Sequence, residues 1–490
     1  VPHVLIIVQN LPVPLDRRVW LECQALVVAG YRVSVVCPKG PGDPDYAEID
    51  GVRIFKYPPA PRAHGLLGYA LEFGYCWLRT NLIVRRVWRR NRFDAIQACN
   101  PPDTYWALAR RYRRRGVRFV YDQHDLNPEV FRSRFGEPSG LVSRLQYRAL
   151  LWLERRTYAT AEQVIATNES YRAVAIGRGG KRPEDVTVVR SGPDTSVMRP
   201  VDGDPALRRG RAHLAAWLGV MGPQDGVDIV LQALSVLVHQ MGRQDLQVAL
   251  LGFGDCQEEL VALTAALGLT EYVTFTGRAD PRMVTEYLSA ADVGLSPDPL
   301  NPLNDVSTMN KTMEYMAFAL PVVAFDLTET RVSGGDAAVY VEPNDVERYA
   351  KAIADLLDDP DRRVEMAVAA RARAETELDW APSRRRYVGV YDRMLALPDR
   401  ADPGARPRPD HRGSPGSLPE RADPPAPAAD EAVPAADRAV PAADETVPAA
   451  VSPPPTTSTG TDQWGHRLVD LHDPEALRRF ARDRRIDGSG

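Results

Sequence analysis

The stretch NPLNDVSTMNKTMEYMAFALPVVAFDLTE, residues 301–329, holds the densest set of groups suited to gripping an anion. It reads as a polar loop, a helix, a proline and a strand. Ser307, Thr308, Asn310 and Lys311 fall just ahead of, or at, the helix start. Such a terminus presents backbone N–H groups with no intrahelical acceptor, in a field that favours negative charge. Lys311 adds a mobile positive charge, and Glu314 follows about one turn on. Phosphates would repel that carboxylate, so its useful task is to accept hydrogen bonds from sugar hydroxyls such as a ribose. An anion-holding loop beside a hydroxyl-holding carboxylate is what a nucleotide diphosphate requires. An N-cap followed by a charged helix face fits the same residues, and local chemistry leaves both readings open.

A second candidate lies in YDQHDLNPEVF, 121–131, where His124 follows a strand end. An imidazole there is able to donate a hydrogen bond to a sugar hydroxyl or a phosphate. Packing between turns is the plain alternative. Asp122, Asp125 and Glu129 surround it in sequence, and their combined charge is expected to favour ring protonation. With no further ligand cluster, no metal is expected. LLGFGD, 250–255, carries Gly252 and Gly254 in a G-x-G pattern, which is weak evidence alone because ordinary turns share it.

The chain that must position these groups has 490 residues, 44% hydrophobic and 26% charged, with a formal net charge of -4. That length exceeds one usual core and predicts at least two domains. The charge disfavours a nucleic-acid partner. Cys23, Cys37, Cys76, Cys99 and Cys256 show no CxxC or zinc spacing and read as buried free thiols in a reducing compartment. The opening VPHVLIIVQ is too short for a signal peptide, and no apolar run nears the ~20 residues of a membrane span. The expected location is the cytoplasm, with the inner face of the plasma membrane as an option.

Periodicity predicts two α/β units. Val4–Val8, Tyr31–Cys37, Phe93–Ala98, Arg118–Tyr121, Gln163–Thr167 and Val186–Val189 read as strands interleaved with helices. A parallel sheet over 1–190 follows. A second series over 191–379 alternates in the same way, with strands at Gln247–Leu251, Tyr272–Phe275, Val293–Leu295 and Val322–Phe325. Two such domains leave a cleft between the carboxyl ends of their strands, where ligands usually bind. A closing helix over 380–397 is expected to cross back onto the first domain. Residues 401–460 are rich in Pro, Ala and Asp and repeat as DEAVPAA, DRAVPAA and DETVPAA; one proline per repeat forbids a continuous helix, and a disordered segment is expected. DPEALRRFARDRR, 473–485, suggests a short helix within 461–490, capped by Asp473 with Pro474 at its first position. A docking peptide is one use for it; an inert tail is the plainer one.

The decisive stretch resembles the retaining GT-B glycosyltransferases of family 4, whose E-x7-E motif spans loop and helix before a strand. The matching residues are VSTMNKTMEYMAFALPVVA, 306–324. The resemblance implies a GT-B fold of two Rossmann-like domains and a nucleotide-diphosphate sugar as donor, without a metal or other cofactor. It assigns Glu314 to the donor ribose. Val306 stands in place of the first glutamate, as in a Ser/Asn/Lys-loop branch, and Asp305 is a neighbour able to substitute by a one-residue shift. His124 matches a histidine beside the reaction centre. VVRSGPD, 188–194, resembles the start of the second domain and places Gly192 at the cleft; LLGFGD resembles a loop holding nucleotide or phosphate; FTGRADP, 275–281, offers Gly277 and Arg278 to the base pocket. The family's G-R-L-x-x-x-K-G is absent: GVMGPQDG, 219–226, has Val220 in the Arg place and Asp225 in the Lys place. Lys311 is the first candidate to replace those cations, then Arg17 or Arg18, then Arg190.

The implied acceptor is a glycan or lipid-linked sugar held by the first domain. HGLLGYALEFGYCWLRTNLIVRRVWRRNRF, 64–93, reads either as amphipathic helices on an anionic membrane or as a core helix with solvated arginines. Cell-surface polysaccharide or glycolipid synthesis is the expected setting. A sugar-nucleotide epimerase of the same architecture and a non-catalytic binding or scaffold protein are the alternatives. Lys311→Ala and Glu314→Ala are both expected to weaken nucleotide binding while leaving the fold intact.

Overall fold

The computed structural model describes residues 1–60, 65–396, 460–471 and 473–483. The predicted disordered segment 401–460 lies outside the described residues except for Gly460. The first sheet and its helices run β1 (His3–Ile7), α1 (Arg17–Val28), β2 (Arg32–Pro38), β3 (Tyr46–Ile49), β4 (Val52–Tyr57), α2 (Gly65–Arg90), β5 (Ala95–Cys99), α3 (Trp106–Arg113), β6 (Arg118–Gln123), α4 (Asn127–Phe135), α5 (Leu141–Thr160), β7 (Gln163–Ala166), α6 (Glu169–Gly177) and β8 (Val186–Val188). The strand order is β3-β4-β2-β1-β5-β6-β7-β8, parallel except for β3, which pairs antiparallel with β4. That hairpin departs from the all-parallel expectation: only two residues separate its strands, too few for a crossover.

The second series runs β9 (His213–Val220), α7 (Val227–Ser235), β10 (Leu246–Phe253), α8 (Gln257–Ala266), β11 (Val273–Gly277), α9 (Pro281–Ala290), β12 (Val293–Ser296), α10 (Asn310–Ala317), β13 (Val322–Phe325), α11 (Thr328–Gly334), β14 (Ala338–Val341), α12 (Val346–Asp358) and α13 (Pro360–Arg373). Its sheet, β11-β10-β9-β12-β13-β14, is parallel throughout. Continuous apolar runs such as HVLII and VVAF are buried on both faces, as helix-covered parallel strands require. This is the GT-B arrangement: two Rossmann-like domains facing a cleft. Strand order reverses beside β1 in one sheet and beside β9 in the other, and loops leaving the carboxyl ends at those reversals are where such folds bind ligands.

Of two further helices, one crosses back to the first domain and the other packs on the second. In α14 (Trp380–Met394), the Trp380 N–H donates to Pro193 O at 2.9 Å. Farther along, Asp392 accepts from the Tyr31 hydroxyl at 2.5 Å, and the Arg393 guanidinium donates to the Thr187 hydroxyl at 3.3 Å. Helix α15 (Pro474–Asp483) is not inert: Leu477, 5% exposed, packs with Ala319 and Ala367 on α13 and the end of α10. Ahead of it, Val201 bridges Leu468, and the Arg199 guanidinium donates to Val469 O at 2.8 Å. Too short to persist alone, this helix is stabilised by the surface it covers.

Candidate functional site

Helix α10 starts at Asn310 with no side-chain cap; the Thr312 N–H donates to Met309 O at 3.1 Å, and no capping side chain claims the N–H groups ahead of it. Lys311 lies in its first turn but is neither mobile nor exposed, contrary to expectation. It is 8% exposed, its ammonium lies 2.5 Å from Asp298 and 3.9 Å from Asp225, and it faces the Trp217 ring at 5.4 Å. A short four-carbon stem rooted in a buried turn, with a carboxylate after β12 in reach, gives it one place to go. Burial and the Asp298 charge push Asp225 up to about 6, although Lys311 opposes this. Lys311→Ala would therefore leave Asp298 and Asp225 without their cation, so a loss of stability is expected beside any loss of binding.

Glu314, one turn on, is ion-paired with Arg17 of α1, which also donates to Gly192 O at 3.1 Å. The next residue, Arg18, points the other way. It is 9% exposed, donates to Val189 O at 2.9 Å and to Ser191 Oγ at 2.8 Å, and holds Asp122 at 2.8 Å. Arg18 is thus a structural cation and is unavailable to a diphosphate. Asp122 accepts from His124 Nε2 at 2.7 Å. Arg18 and His124 together hold the Asp122 carboxyl well below the usual range despite burial, and Asp122 in turn raises the His124 pKa. Burial and the Asp122 charge push neighbouring Glu22 up to about 8, so Asp122 carries the charge and Glu22 the proton. Glu129 does not belong to this group: it faces Arg178 at 2.5 Å, on the far side of α4. The His124 backbone is set by Asn100, whose side-chain oxygen accepts from the N–H groups of His124 at 2.7 Å and Asp125 at 3.1 Å.

The polar loop ahead of α10 is taken up by contacts across the cleft. Ser307 Oγ meets Tyr171 Oη at 2.9 Å, and Asn168 donates to Thr308 Oγ1 at 3.0 Å and to Val306 O at 2.9 Å. The Val306 side chain packs against the first-domain core. Asp305 does not take the place of the missing glutamate: its carboxylate accepts from the Thr328 N–H at 2.9 Å, at the start of α11. Arg190 is 3.7 Å from Glu329.

The glycines have close-packing reasons. A Cβ on Gly192 would lie 1.8 Å from Leu378 O, and one on Gly252 would lie 1.8 Å from Gly219 O, so neither position admits a side chain. Gly254 packs on Met221 in the same turn, Gly277 ends β11 facing open space, and the exposed Arg278 guanidinium lies 5.9 Å from the Phe253 ring. Val220, in the expected Arg place, is 57% exposed. A cation that motif reading missed is Arg134, at the end of α4. It is exposed, and its charge reaches Asp125 on the first domain and Asp225 on the second. The sequence contains no motif that singles it out. Cys99, Asp122 and His124 present ligand atoms within 4.8 Å of one another, but Arg18 occupies the same carboxylate and disfavours a cation there.

Comparison with known proteins matches each half separately. A family profile described as "Glycosyl transferase 4-like domain" covers residues 15–192, and one described as "Glycosyl transferases group 1" covers 212–359. A curated D-inositol 3-phosphate glycosyltransferase of Thermomonospora curvata is 29% identical over 257 residues, 49% of this chain. The match spans 58% of that relative's length. A sucrose-phosphate synthase of Thermosynechococcus elongatus superposes with a TM-score of 0.67 at 18% identity, over 81% of this chain and 100% of its own. Anabaena HepE in complex with UDP-glucose superposes with a TM-score of 0.58 at 17% identity, over the same shares. With both of its domains matched in order on a GT-B frame, the chain belongs to the GT4-like glycosyltransferase family.

Proposed function

We propose that the protein transfers a sugar from a nucleotide-diphosphate donor to an acceptor on its first domain. The observation that supports this is that two adjacent residues of α1 reach both candidate groups: Arg17 is paired with Glu314, and Arg18 with Asp122, which also holds His124. On this view the start of α10 and the first-domain histidine serve one site. In this reading the ribose hydroxyls replace Arg17 on Glu314, and Arg17 turns to the diphosphate with Arg134 and the N–H groups at Asn310. Lys311 offsets Asp298 and Asp225 beneath. Ser307 and Thr308 hold the cleft shut, while Gly252, Gly254, Gly277 and Arg278 flank the base. His124, whose protonated form the Asp122 charge favours, donates to the sugar or the leaving phosphate. The anomeric C–O bond to phosphate breaks as the acceptor oxygen bonds to that carbon, and the acceptor proton passes to the departing phosphate. Fixed donors in a dry cleft stabilise that charge separation.

The acceptor side favours a lipid-linked sugar, as in cell-surface polysaccharide or glycolipid synthesis. No helix of the described residues is long and apolar enough to cross a membrane. Helix α2 buries Cys76, Val84 and Val87, yet exposes Leu71, Trp77, Leu78 and Leu82 beside its arginines. Helix α5 exposes Leu141, Val142, Leu145 and Trp152. Such faces suit an anionic bilayer surface.

A calorimetric panel of nucleotide diphosphates and their sugars tests the site, followed by product detection with lipid-linked and soluble acceptors. Saturable binding lost in Glu314→Ala is expected. Interconversion of two donors would instead favour the epimerase class, and absence of any binding a scaffold.

A further inference from the structure

Away from the cleft surface, a buried polar network joins α14 to the first sheet. Gln97 sits mid-strand in β5 with 0% exposure, among apolar neighbours. Its oxygen accepts from the hydroxyls of Tyr387, at 2.7 Å, and Tyr391. Its nitrogen donates to Asp122 Oδ2 at 2.9 Å and to Glu22 Oε2 at 2.7 Å. An amide has two acceptor lone pairs and two N–H donors, and all four are used. This orientation is the favoured one, because the flipped amide would set its carbonyl against the ionised Asp122 carboxylate. The Asp122 oxygen that Gln97 holds is the one that accepts from His124 Nε2, at 2.7 Å. Helix α14 contributes both phenols after leaving the second domain at Asp379, whose carboxylate accepts from the Thr195 hydroxyl at 2.5 Å.

Resting on the reading that His124 serves the donor, we infer that Gln97 is a positioning residue. Through it, the hydroxyls of Tyr387 and Tyr391 orient the Asp122–His124 pair, so that seating of α14 and alignment of the histidine are one event. With α14 unseated, the amide oxygen is a buried acceptor without its donors, and the amide turns to find others. Asp122 then keeps Arg18 but loses Gln97, and its charge falls more fully on His124.

The test is the titration of His124 in the full chain, read from ring carbon resonances of labelled histidine and assigned by the signal lost in His124→Gln. The double variant Tyr387→Phe/Tyr391→Phe is expected to raise the His124 midpoint by about half a pH unit or more, since a carboxylate with fewer donors stabilises the imidazolium further. Each single variant retains one phenol and is expected to shift it less than half as far. Tyr31→Phe, which keeps the ring that packs edge-on against Tyr391 and loses the hydroxyl that donates to Asp392, is expected to leave the midpoint in place. Should the double variant fail to fold, Gln97→Asn, too short to span both sides, is expected to shift the midpoint likewise. An unchanged midpoint in the double variant and in Gln97→Asn overturns the relay; so does an equal shift in Tyr31→Phe, which would mean general loosening. If the midpoints move as stated while no sugar nucleotide binds, the donor reading falls and the relay stands.

Discussion

Arg17 and Glu314 are ion-paired across the cleft, a first-domain cation on a second-domain carboxylate. Arg17 is 38% exposed, so such a pair contributes at most about 1 kcal/mol. A charge-assisted contact to phosphate is worth roughly 1.5–3 kcal/mol. Exchange of Arg17 from Glu314 to a diphosphate is thus downhill. Arg17→Ala is expected to weaken nucleotide-sugar binding about tenfold, which is 1.4 kcal/mol. Calorimetry checks it; tighter binding would mean that Arg17 only blocks Glu314.

Lys311→Ala leaves the buried Asp298 and the half-buried Asp225 without their cation. A destabilisation of about 3–5 kcal/mol is expected, as for a buried pair broken on one side. Lys311→Ala/Asp298→Ala is expected to recover much of it. Denaturant titration of the two variants compares them directly, and equal midpoints would contradict the role given to Lys311.

The Asp225 carboxyl, pushed up to about 6, gives the donor site a pH dependence. In the folded state its proton is retained above the ordinary value of 3.8, so ionisation costs stability as pH rises from there through about 6. The same ionisation adds negative charge beside the proposed phosphates. Affinity for a nucleotide-diphosphate sugar, which has no phosphate titrating in this window, is expected to fall as pH rises from 5 to 7. Asp225→Asn is expected to flatten the profile and to stabilise the protein at pH 7 by on the order of 1 kcal/mol. A variant with the same slope as the parent would refute this.

Leu477→Asp places a charge against Ala319 and Ala367 and is expected to release α15. Limited trypsin digestion should then cut at Arg478, Arg479 or Arg482 at least several times faster, with the rate of cutting within residues 65–396 unchanged. Unaltered digestion would show that Leu477 does not hold the helix.

Much of the frame was legible because buried parallel strands write themselves as apolar runs, as at Val4–Val8 and Val322–Phe325. Helix starts were legible where Asp or Pro stands in front, as at Asp473 and Pro474. The hairpin β3–β4 was not, since its alternating residues YAEI carry little pattern. At the site, residue types pointed to Lys311, Glu314 and His124 but not to their partners. Asp298 stands between two prolines in a loop and Gln97 inside an apolar strand, settings that do not mark either as a partner of a site residue. Arg17 and Arg18 are neighbours of one chemical type with opposite fates; side-chain direction at the first turn of α1 separates them, and no motif records direction. Ser307 and Thr308 look like ligand donors in sequence because hydroxyls that bridge two domains are the same groups that bind a phosphate.

That bridging has a kinetic corollary. Ser307 with Tyr171, Thr308 and Val306 with Asn168, and Asn301 with Ser133 make four hydrogen bonds between the lobes. At about 1 kcal/mol each, they bias the lobes toward contact by roughly a thousandfold. Under the proposed function, spent nucleotide escapes only once these bonds, together with Ser170–Glu329 and Arg17–Glu314, have let go, which would make lobe opening, rather than bond cleavage, the pacemaker of each cycle.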